Sequence, residues 1–288
     1  MSYTLFIGDR TYSSWSLRGW MLFARFGIGC ETRLVDFDTG AVADQLPGME
    51  PARTVPCART PEGAVIWDSL AMAEELASRH PEAGLWPSDP AARATARSLA
   101  AEMHSGFSAL RRDCPMNLRV AHSGFQPSEA VLADLARIES VWAFARERFA
   151  ASGPWLFGAY TAADVFFAPV AARIATYDLA VSEDAQAYVA AHIADPEFRR
   201  WRAMGFASGA VLARYAKDLS TRPWPGPAPR LARAVAQGTP ENDACPYSGK
   251  PVTHLMAMEG RIFGFCNAFC RDKTVADPKA WPRFMALV

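Results

Sequence analysis

The sequence predicts an α/β domain, an all-helical domain after it, and a small cysteine-bearing module at the end. Three observations carry this reading. Residues 1–82 alternate β-rich and helical runs in the order βαβ, then ββα. From Ala91 to about Asp218 the apolar residues recur at helical spacing almost throughout. Beyond that, proline and small residues take over, and the last stretch gathers Cys245, Cys266 and Cys270. The 288 residues exceed one ordinary domain and suffice for two with a tail.

In order, "YTLFIG" reads as a strand and Trp15 to Phe26 as a helix. "TRLVDF" reads as a second strand. "VPCART" and "AVIWD", joined through "PEG", read as a hairpin. "SLAMAEELASRH" reads as a helix with Asp68 or Ser69 at its cap. "HPEAGLWPSDP" then breaks the pattern with three prolines, which bounds the first domain at 1–82. The helical domain spans 90–219. Its "TAAD" is a capping-box variant in which Thr161 and Asp164 satisfy each other's N–H groups, with Tyr160 and Val165 as the hydrophobic staple. "DPEFRRWRAMG" starts a further helix, with Asp195 as cap and Pro196 in the first turn. Residues 220–239 form a proline-rich linker. Residues 240–288 are too few for a self-sufficient core, and a module that small needs a metal, a disulfide or a host to pack against.

Lys plus Arg and Asp plus Glu number thirty each, so the formal net charge is zero. Nothing supports nucleic-acid binding or attraction to an anionic membrane. No apolar run approaches the roughly 20 residues that span a bilayer. The start, "MSYTLFIGDR", lacks the basic and apolar regions of a signal peptide. The expectation is a soluble cytoplasmic protein. In a reducing compartment the gathered cysteines suggest metal more than disulfides, while Cys30, Cys57 and Cys114 are scattered.

Three stretches carry chemistry in the first domain. "SSWS", residues 13–16, sits at the joint of the first strand and first helix. One serine there is explained by capping. Two adjacent ones, Ser13 and Ser14, exceed that need, and the positive end of a helix favours an anion such as a thiolate. A hydroxyl donating to sulfur stabilises the charged form and lowers the thiol pKa. "TVPC" places Pro56 before a short strand, where a cis bond would turn the backbone N–H and C=O of Val55 toward a ligand. An ordinary strand-starting proline explains it equally. "WDS" puts Asp68 and Ser69 at a helix start, able to cap it or to meet a carboxylate or amino group. Cys57 lacks a CxxC partner and reads as a buried, inert thiol. His80, His104, His122 and His192 read as solvated or capping. The tryptophans follow apolar periodicity and read as core, with Trp15 a wall of the thiol site.

In the tail, Cys266 and Cys270 lie one helical turn apart, so both sulfurs can face one point together with Cys245 of "CPYSG". Three readings stand: a metal site, a metal-free module packed on a host, and a redox thiol pair. His254 is the only histidine of the tail and the first candidate for a fourth ligand, with Asp243 and Asp272 as alternatives.

The ordered set of "SSWS", "VP", "DS" opening a helix, and "TAAD…P" resembles the glutathione transferase superfamily over roughly residues 3–215. "SSWSLR" looks most like the serine-type bacterial transferases, with likeness to the "SSCSWR" stretch of the zeta class. Trp15 stands where that class usually has cysteine. The resemblance implies a thioredoxin-like glutathione-binding domain, an all-α domain offering an apolar pocket for a small-molecule electrophile along roughly Glu102 to Leu118, and a homodimer. It implies that Ser13, with Ser14 as fallback, activates the glutathione thiol, and that Trp15, Val55, Pro56, Asp68 and Ser69 hold glutathione. The tail is similar to small YHS or TRASH-like metal-binding modules, with Ser248 where those often have a cysteine. That likeness implies one structural Zn²⁺ held by Cys245, Cys266, Cys270 and His254. The function expected is a glutathione transferase. Its alternatives are a non-catalytic glutathione-binding sensor or adaptor with a metal-binding tail, and a glutathione-dependent isomerase.

Overall fold

In the computed structural model, residues 2–150 and 152–288 are described. The chain divides into two compact units, Met1–Ile193 with Ala213–Pro225, and Ala194–Leu212 with Gly226–Val288.

The first unit begins with the expected α/β arrangement. Strand β1 (Tyr3–Ile7) is buried along its whole length and leads to helix α1 (Ser14–Ala24). It pairs in parallel with β2 (Cys30–Leu34) and antiparallel with β3 (Cys57–Arg59), which turns into β4 (Val65–Ile66). The sheet order is therefore β2-β1-β3-β4. Strand β2 begins two residues before the run "TRLVDF" and takes in only its first three residues. The ladder ends at the Ile7–Leu34 pair, and the chain beyond Val35 turns back over the sheet, packing Val35, Leu46, Met49 and Ala52 on Phe6 and Cys57. Helix α2 (Ser69–Arg79) starts at Asp68, whose Oδ1 accepts from the N–H groups of Leu70 and Ala71.

The helical part of this unit comprises α3 (Pro90–Ser105), α4 (Ser108–Asp113), α5 (Glu129–Phe149), α6 (Ala162–Tyr177) and α7 (Glu183–Ala194). Helix α5 buries Val131, Leu135, Ile138, Trp142 and Ala145, the stripe of an amphipathic helix. Helix α6 is buried at every position and mostly apolar, with Asp164, Arg173 and Thr176 as its polar side chains, as suits a helix at the centre of a core. It is anchored at its start by Asp164, which accepts from the N–H and hydroxyl of Thr161, the N–H of Leu156 and the hydroxyl of Tyr188. A short ribbon pairs β5 (Ala121–Ser123) with β6 (Ser220–Arg222).

The second unit corrects the expected boundary. Helix α8 (Pro196–Ser208), read from sequence as the end of the helical domain, belongs with the C-terminal residues. With it come the three-stranded sheet β7 (Ala232–Val235), β8 (His254–Met258) and β9 (Arg261–Phe265), then α9 (Ala268–Ala276) and α10 (Pro282–Met285). The residues read as linker thus contribute β6 to one unit and β7 to the other. The tail solves its shortage of core by packing on α8. Ala203 of that helix joins Met256, Met258, Phe263, Phe265, Trp281 and Phe284 in one buried cluster. Arg199 of α8 clasps Asp277 through two bonds of 2.8 and 2.7 Å, and Arg200 donates to the Ala280 carbonyl.

No helix is long and apolar enough to cross a membrane among the described residues.

Candidate functional site

The loop between β1 and α1 is organised by Asp9, whose Oδ1 accepts from Thr11 N–H (2.7 Å), Thr11 Oγ (2.6 Å) and Tyr12 N–H (3.2 Å). This aims the "SSWS" stretch into a cavity of about 420 Å³. Ser13 is the N-cap of α1. Its Oγ accepts from Ser16 N–H at 3.3 Å and donates to Ser16 Oγ at 2.8 Å, and Ser16 Oγ in turn accepts from Gly8 N–H. Ser14, in the first turn, faces a different partner. Its Oγ accepts from Nη2 of Arg173 at 3.2 Å. Both serines and Trp15 line the cavity.

Three arginines also line it, Arg53, Arg111 and Arg173, and no carboxylate does among the described residues. The pocket expected along Glu102 to Leu118 does supply Arg111, Pro115 and Met116, and the arginines stand among apolar and aromatic side chains such as Phe37, Val42 and Val55. Arg173 is buried on α6, and its other two donors go to the carbonyls of Cys114 (2.9 Å) and Pro169 (3.1 Å). Burial, with Arg111 nearby, pushes its pKa down to about 10. Arg111 is held by the carbonyls that end α3, those of Met103 and His104, and by that of Gly106. Behind them Arg18 is fully buried, with its guanidinium 4.7 Å from the Trp15 ring and 5.1 Å from that of Phe166. None of its three guanidinium nitrogens has a hydrogen-bond partner among the described residues. Burial depresses its pKa strongly, and Arg111 and Arg173 depress it further. Asp68 offsets part of this at Arg18 and Asp134 part of it at Arg111, so the arginines outnumber the carboxylates set against them and favour an anionic guest.

The remaining predicted residues divide. Val55 lines the cavity, and the Val55–Pro56 peptide bond is cis. Gly19 of α1 lies so close beneath Pro56 that a Cβ there would meet Pro56 Cβ at 2.5 Å, so only glycine lets the helix approach. Asp68 and Ser69 do not line this cavity. Asp68 is linked to its wall through His104, whose Nε2 lies 3.3 Å from Asp68 Oδ2 and whose ring meets Trp15 edge-on at 5.2 Å. The Ser69 hydroxyl is buried without a hydrogen-bond partner among the described residues.

Two histidine expectations fail. His192 is fully buried among Trp155, Tyr160 and Tyr188, and His122 is buried against Tyr177. Burial pushes the His192 pKa down to about 3. His80 ends α2, with Nε2 3.0 Å from the Tyr3 hydroxyl. Cys57 is buried, and its thiol is pushed up to about 12 by that burial. Sequence reasoning also missed Tyr12 and Tyr215, which line the cavity and stack at 4.5 Å. The adjacent hydroxyls were visible in the sequence; the charges facing them come from distant segments.

Residues 12–79 match the family model described as glutathione S-transferase, N-terminal domain. Among solved structures, a glutathione transferase homologue from Burkholderia gl BGR1 with bound glutathione is 22% identical, with TM-score 0.54, over 71% of this chain and 98% of that one. The chain has the glutathione S-transferase fold. Ure2p in complex with glutathione is 19% identical with TM-score 0.52, over 69% of this chain and 98% of that one. A glutathione transferase from Methylococcus capsulatus is 20% identical with TM-score 0.52, over 70% and 98%. A probable maleylacetoacetate isomerase of Caenorhabditis elegans is 34% identical over 101 residues, 35% of this chain. The chain spans about half, 46%, of that relative's length. Within this glutathione S-transferase fold, the serine-bearing joint and the cis-proline segment lie inside the residues matched by the family model.

The second unit holds a separate cluster. The sulfurs of Cys245, Cys266 and Cys270 lie within 4.8 Å of one another, and those of Cys266 and Cys270 are 4.0 Å apart. Donors converge on them. Ser248 Oγ donates to Cys266 Sγ at 3.2 Å and Asn267 Nδ2 at 3.4 Å. Burial opposes charge on Cys245, but the N–H groups of Cys266, Tyr247 and Ser248 and the Ser248 hydroxyl hold its thiol well below the ordinary range. A set of three sulfurs with N–H donors behind them suits a thiophilic metal ion. His254 is not brought into this cluster. Its Nδ1 lies 2.9 Å from the Thr253 hydroxyl. Of the other two candidates, Asp272 accepts from Arg271, and neither Asp243 nor Asp272 joins the cluster.

Proposed function

We propose that the chain is a glutathione-dependent transferase whose electrophilic substrate carries an anionic group. The observation that carries this reading is the Ser14 hydroxyl, held at the start of α1 with its oxygen occupied by Arg173 and its proton free to donate. Ser13 already gives its proton to Ser16, so Ser14 is the better donor to a bound sulfur. A hydroxyl that accepts from a guanidinium is polarised and donates more strongly. The bound thiol loses its proton more easily because the thiolate gains this bond, the helix N-terminus and the surplus arginine charge. With its proton given up to solvent, the thiolate attacks the electrophilic carbon as that carbon's leaving group departs with its bonding pair, and Arg53 and Arg111 hold the substrate's anionic group in reach.

Glutathione's backbone would meet Val55, and its γ-glutamyl end Asp68 and the unpartnered Ser69 hydroxyl. A second reading, thiol-assisted isomerisation, is favoured by the relative described as a probable isomerase. It uses the same residues, with the thiolate adding and then leaving. A homodimer belongs to the proposal as well, supported by the half-exposed Leu132 and Phe144 on α5. Sedimentation showing only a 31.4 kDa species at micromolar concentration would remove it. The tail cluster is proposed to hold a metal ion.

The test is Ser14→Ala. Turnover should fall by about 10- to 100-fold and the bound thiol's pKa should rise, with glutathione affinity nearly unchanged. An unaltered thiolate titration would reject Ser14 as donor. Tight glutathione binding without turnover of any anionic electrophile would favour a binding protein instead.

A further inference from the structure

One wall of the serine-lined cavity is added late by the chain. The backbone leaves the first unit after Ile193, returns to it at Ala213, and leaves again after Pro225. We infer that the first turn of this returning segment, Ala213–Tyr215, is a salt-sensitive latch over the cavity. Arg214 fastens it to Asp38, Tyr215 covers Tyr12, and its opening sets how fast a guest leaves, the guest being the proposed glutathione, on which reading this rests.

Three segments far apart in sequence meet at the latch. Tyr12 comes from the loop after β1, where Asp9 holds its N–H just ahead of Ser13 and Ser14. Asp38 comes from the stretch after β2 that also supplies Phe37 and Val42 to the cavity wall. Tyr215 lines the same cavity and lays its ring on that of Tyr12, with centroids 4.5 Å and planes 21° apart. Beneath it Tyr12 is buried. Arg214 donates from Nη1 to Asp38 Oδ1, and its guanidinium lies 5.5 Å from the centre of the Tyr215 ring. One side chain therefore serves both fastenings.

The returning segment is held firmly downstream and lightly at the latch. Strand β6 is laddered to β5 from Ser220 to Arg222. Arg222 also donates to the carbonyls of His122 (3.0 Å) and Ala175 (2.9 Å) and pairs with Asp178 at 2.9 Å. The Arg214 and Asp38 side chains, by contrast, are 46% and 54% exposed, so water and salt screen their attraction. An exposed pair shifts an equilibrium by at most about fivefold, and a stacked ring pair by about twofold to tenfold. Together they allow an open state of at least about 2% while β6 stays paired, which is enough to serve as an exit route.

The experiment uses the full chain and S-methylglutathione, which has no thiol to exchange with the cysteines of the protein. Amide hydrogen exchange of residues 213–222 and the dissociation rate of S-methylglutathione, followed by stopped-flow tryptophan fluorescence, are read on the same samples. Arg214→Gln should speed both exchange at 213–216 and dissociation by about threefold, and Tyr215→Ala by about tenfold, with exchange at 220–222 unchanged. Raising salt from about 50 to about 500 mM should speed dissociation from the wild type and leave that from Arg214→Gln unaltered. Arg214→Glu should open the latch, and adding Asp38→Arg should return dissociation to within about twofold of the wild type, because the pair is remade with its ends exchanged. The double variant has the wild-type net charge, so its recovery is not an effect of steering. Failure of that exchange to restore the rate, or wild-type exchange and dissociation in both Arg214→Gln and Tyr215→Ala, would overturn the latch. Absence of S-methylglutathione binding would remove the glutathione reading and this guest with it, while the exchange measurement alone still decides for or against the latch.

Discussion

Two regions of this chain gather donors suited to sulfur, and they do it with opposite materials. At the start of α1 the sulfur would be that of the proposed guest. The host offers the serine hydroxyls and an excess of arginine, none of it balanced by a carboxylate in the cavity wall. At the start of α9 the sulfurs belong to the chain. N–H and O–H groups surround them, the Lys273 ammonium acts on Cys270, and a metal cation is proposed to complete the site. A site for a foreign anion must keep positive charge in reserve, which costs burial of Arg18 and Arg173. A site for a foreign cation keeps negative charge in reserve, with donors behind it. The units that hold them differ accordingly. The first has a large core able to carry buried polar groups such as His192 and Asp164; the second relies on a few aromatic rings and one host helix.

The largest expected effect separates the units by pH. His192 is neutral and buried in the first unit, with its pKa pushed down to about 3 from the model-peptide 6.5. Below 6.5 the unfolded chain takes up a proton that the folded unit refuses. Stability is therefore intact above 6.5 and lost as pH falls toward 3, by an amount on the order of 5 kcal/mol at the limit. Asp164, close by through Tyr188, works in the opposite direction, because burial raises its pKa and the folded state takes up its proton earlier. His192→Phe should remove the first dependence and keep the second. Chemical denaturation of the variant between pH 7 and 4, followed by tryptophan fluorescence, should show a flatter stability profile than the wild type. An equally steep loss in the variant would place the acid sensitivity elsewhere.

The next effect tests whether reserve charge is what the first site runs on. Arg173→Met keeps bulk on α6 but removes the donor to Ser14 and leaves the carbonyls of Cys114 and Pro169 without that partner. On the transferase reading, kcat/KM should fall by about 100-fold. Arg173→Lys should recover only part of it, since an ammonium cannot fork to three acceptors as the guanidinium does. The second unit's metal affinity should not change in either variant. If Arg173→Met turned over at the wild-type rate, the cationic wall would be structural rather than chemical.

What was legible in the sequence follows the range of the interaction. Caps are local. Asp68, Asp195 and the Thr161–Asp164 pair are all visible as short patterns, and each caps its helix as the spacing requires. The α/β order and the central helix were legible because periodicity and apolar content are also local. Arg173 was not, because it meets Ser14 across 159 residues and looks in sequence like any helical arginine. The same holds for Tyr215 on Tyr12 and for Arg111, which is aimed by the carbonyls that end α3. Helix α8 shows the limit most clearly. Its pattern says that it is a helix with one apolar face, but not which core that face joins. His192 looked like a polar residue near a helix end, and three aromatic side chains closed over it. His254 was chosen as the tail's only histidine, yet β8 turns it toward Thr253.

The smallest effect distinguishes the two serines that the sequence left adjacent. Ser13 accepts from Ser16 N–H and passes its own proton to Ser16 Oγ, which holds Gly8 N–H. That chain of bonds ties α1 to the end of β1 and leaves Ser13 no proton for a ligand. Ser13→Ala should therefore behave as the loss of a helix cap, lowering stability by about 1 kcal/mol. The thiolate titration of bound glutathione should stay where it is in the wild type. Ser13→Asn, which restores an acceptor for the helix N–H without a hydroxyl, should regain most of the lost stability with the same titration. Denaturation midpoints and thiolate absorbance on the same samples decide it. A raised thiol pKa in both Ser13 variants would return the role to Ser13 and show that its bond to Ser16 is exchanged for one to the ligand.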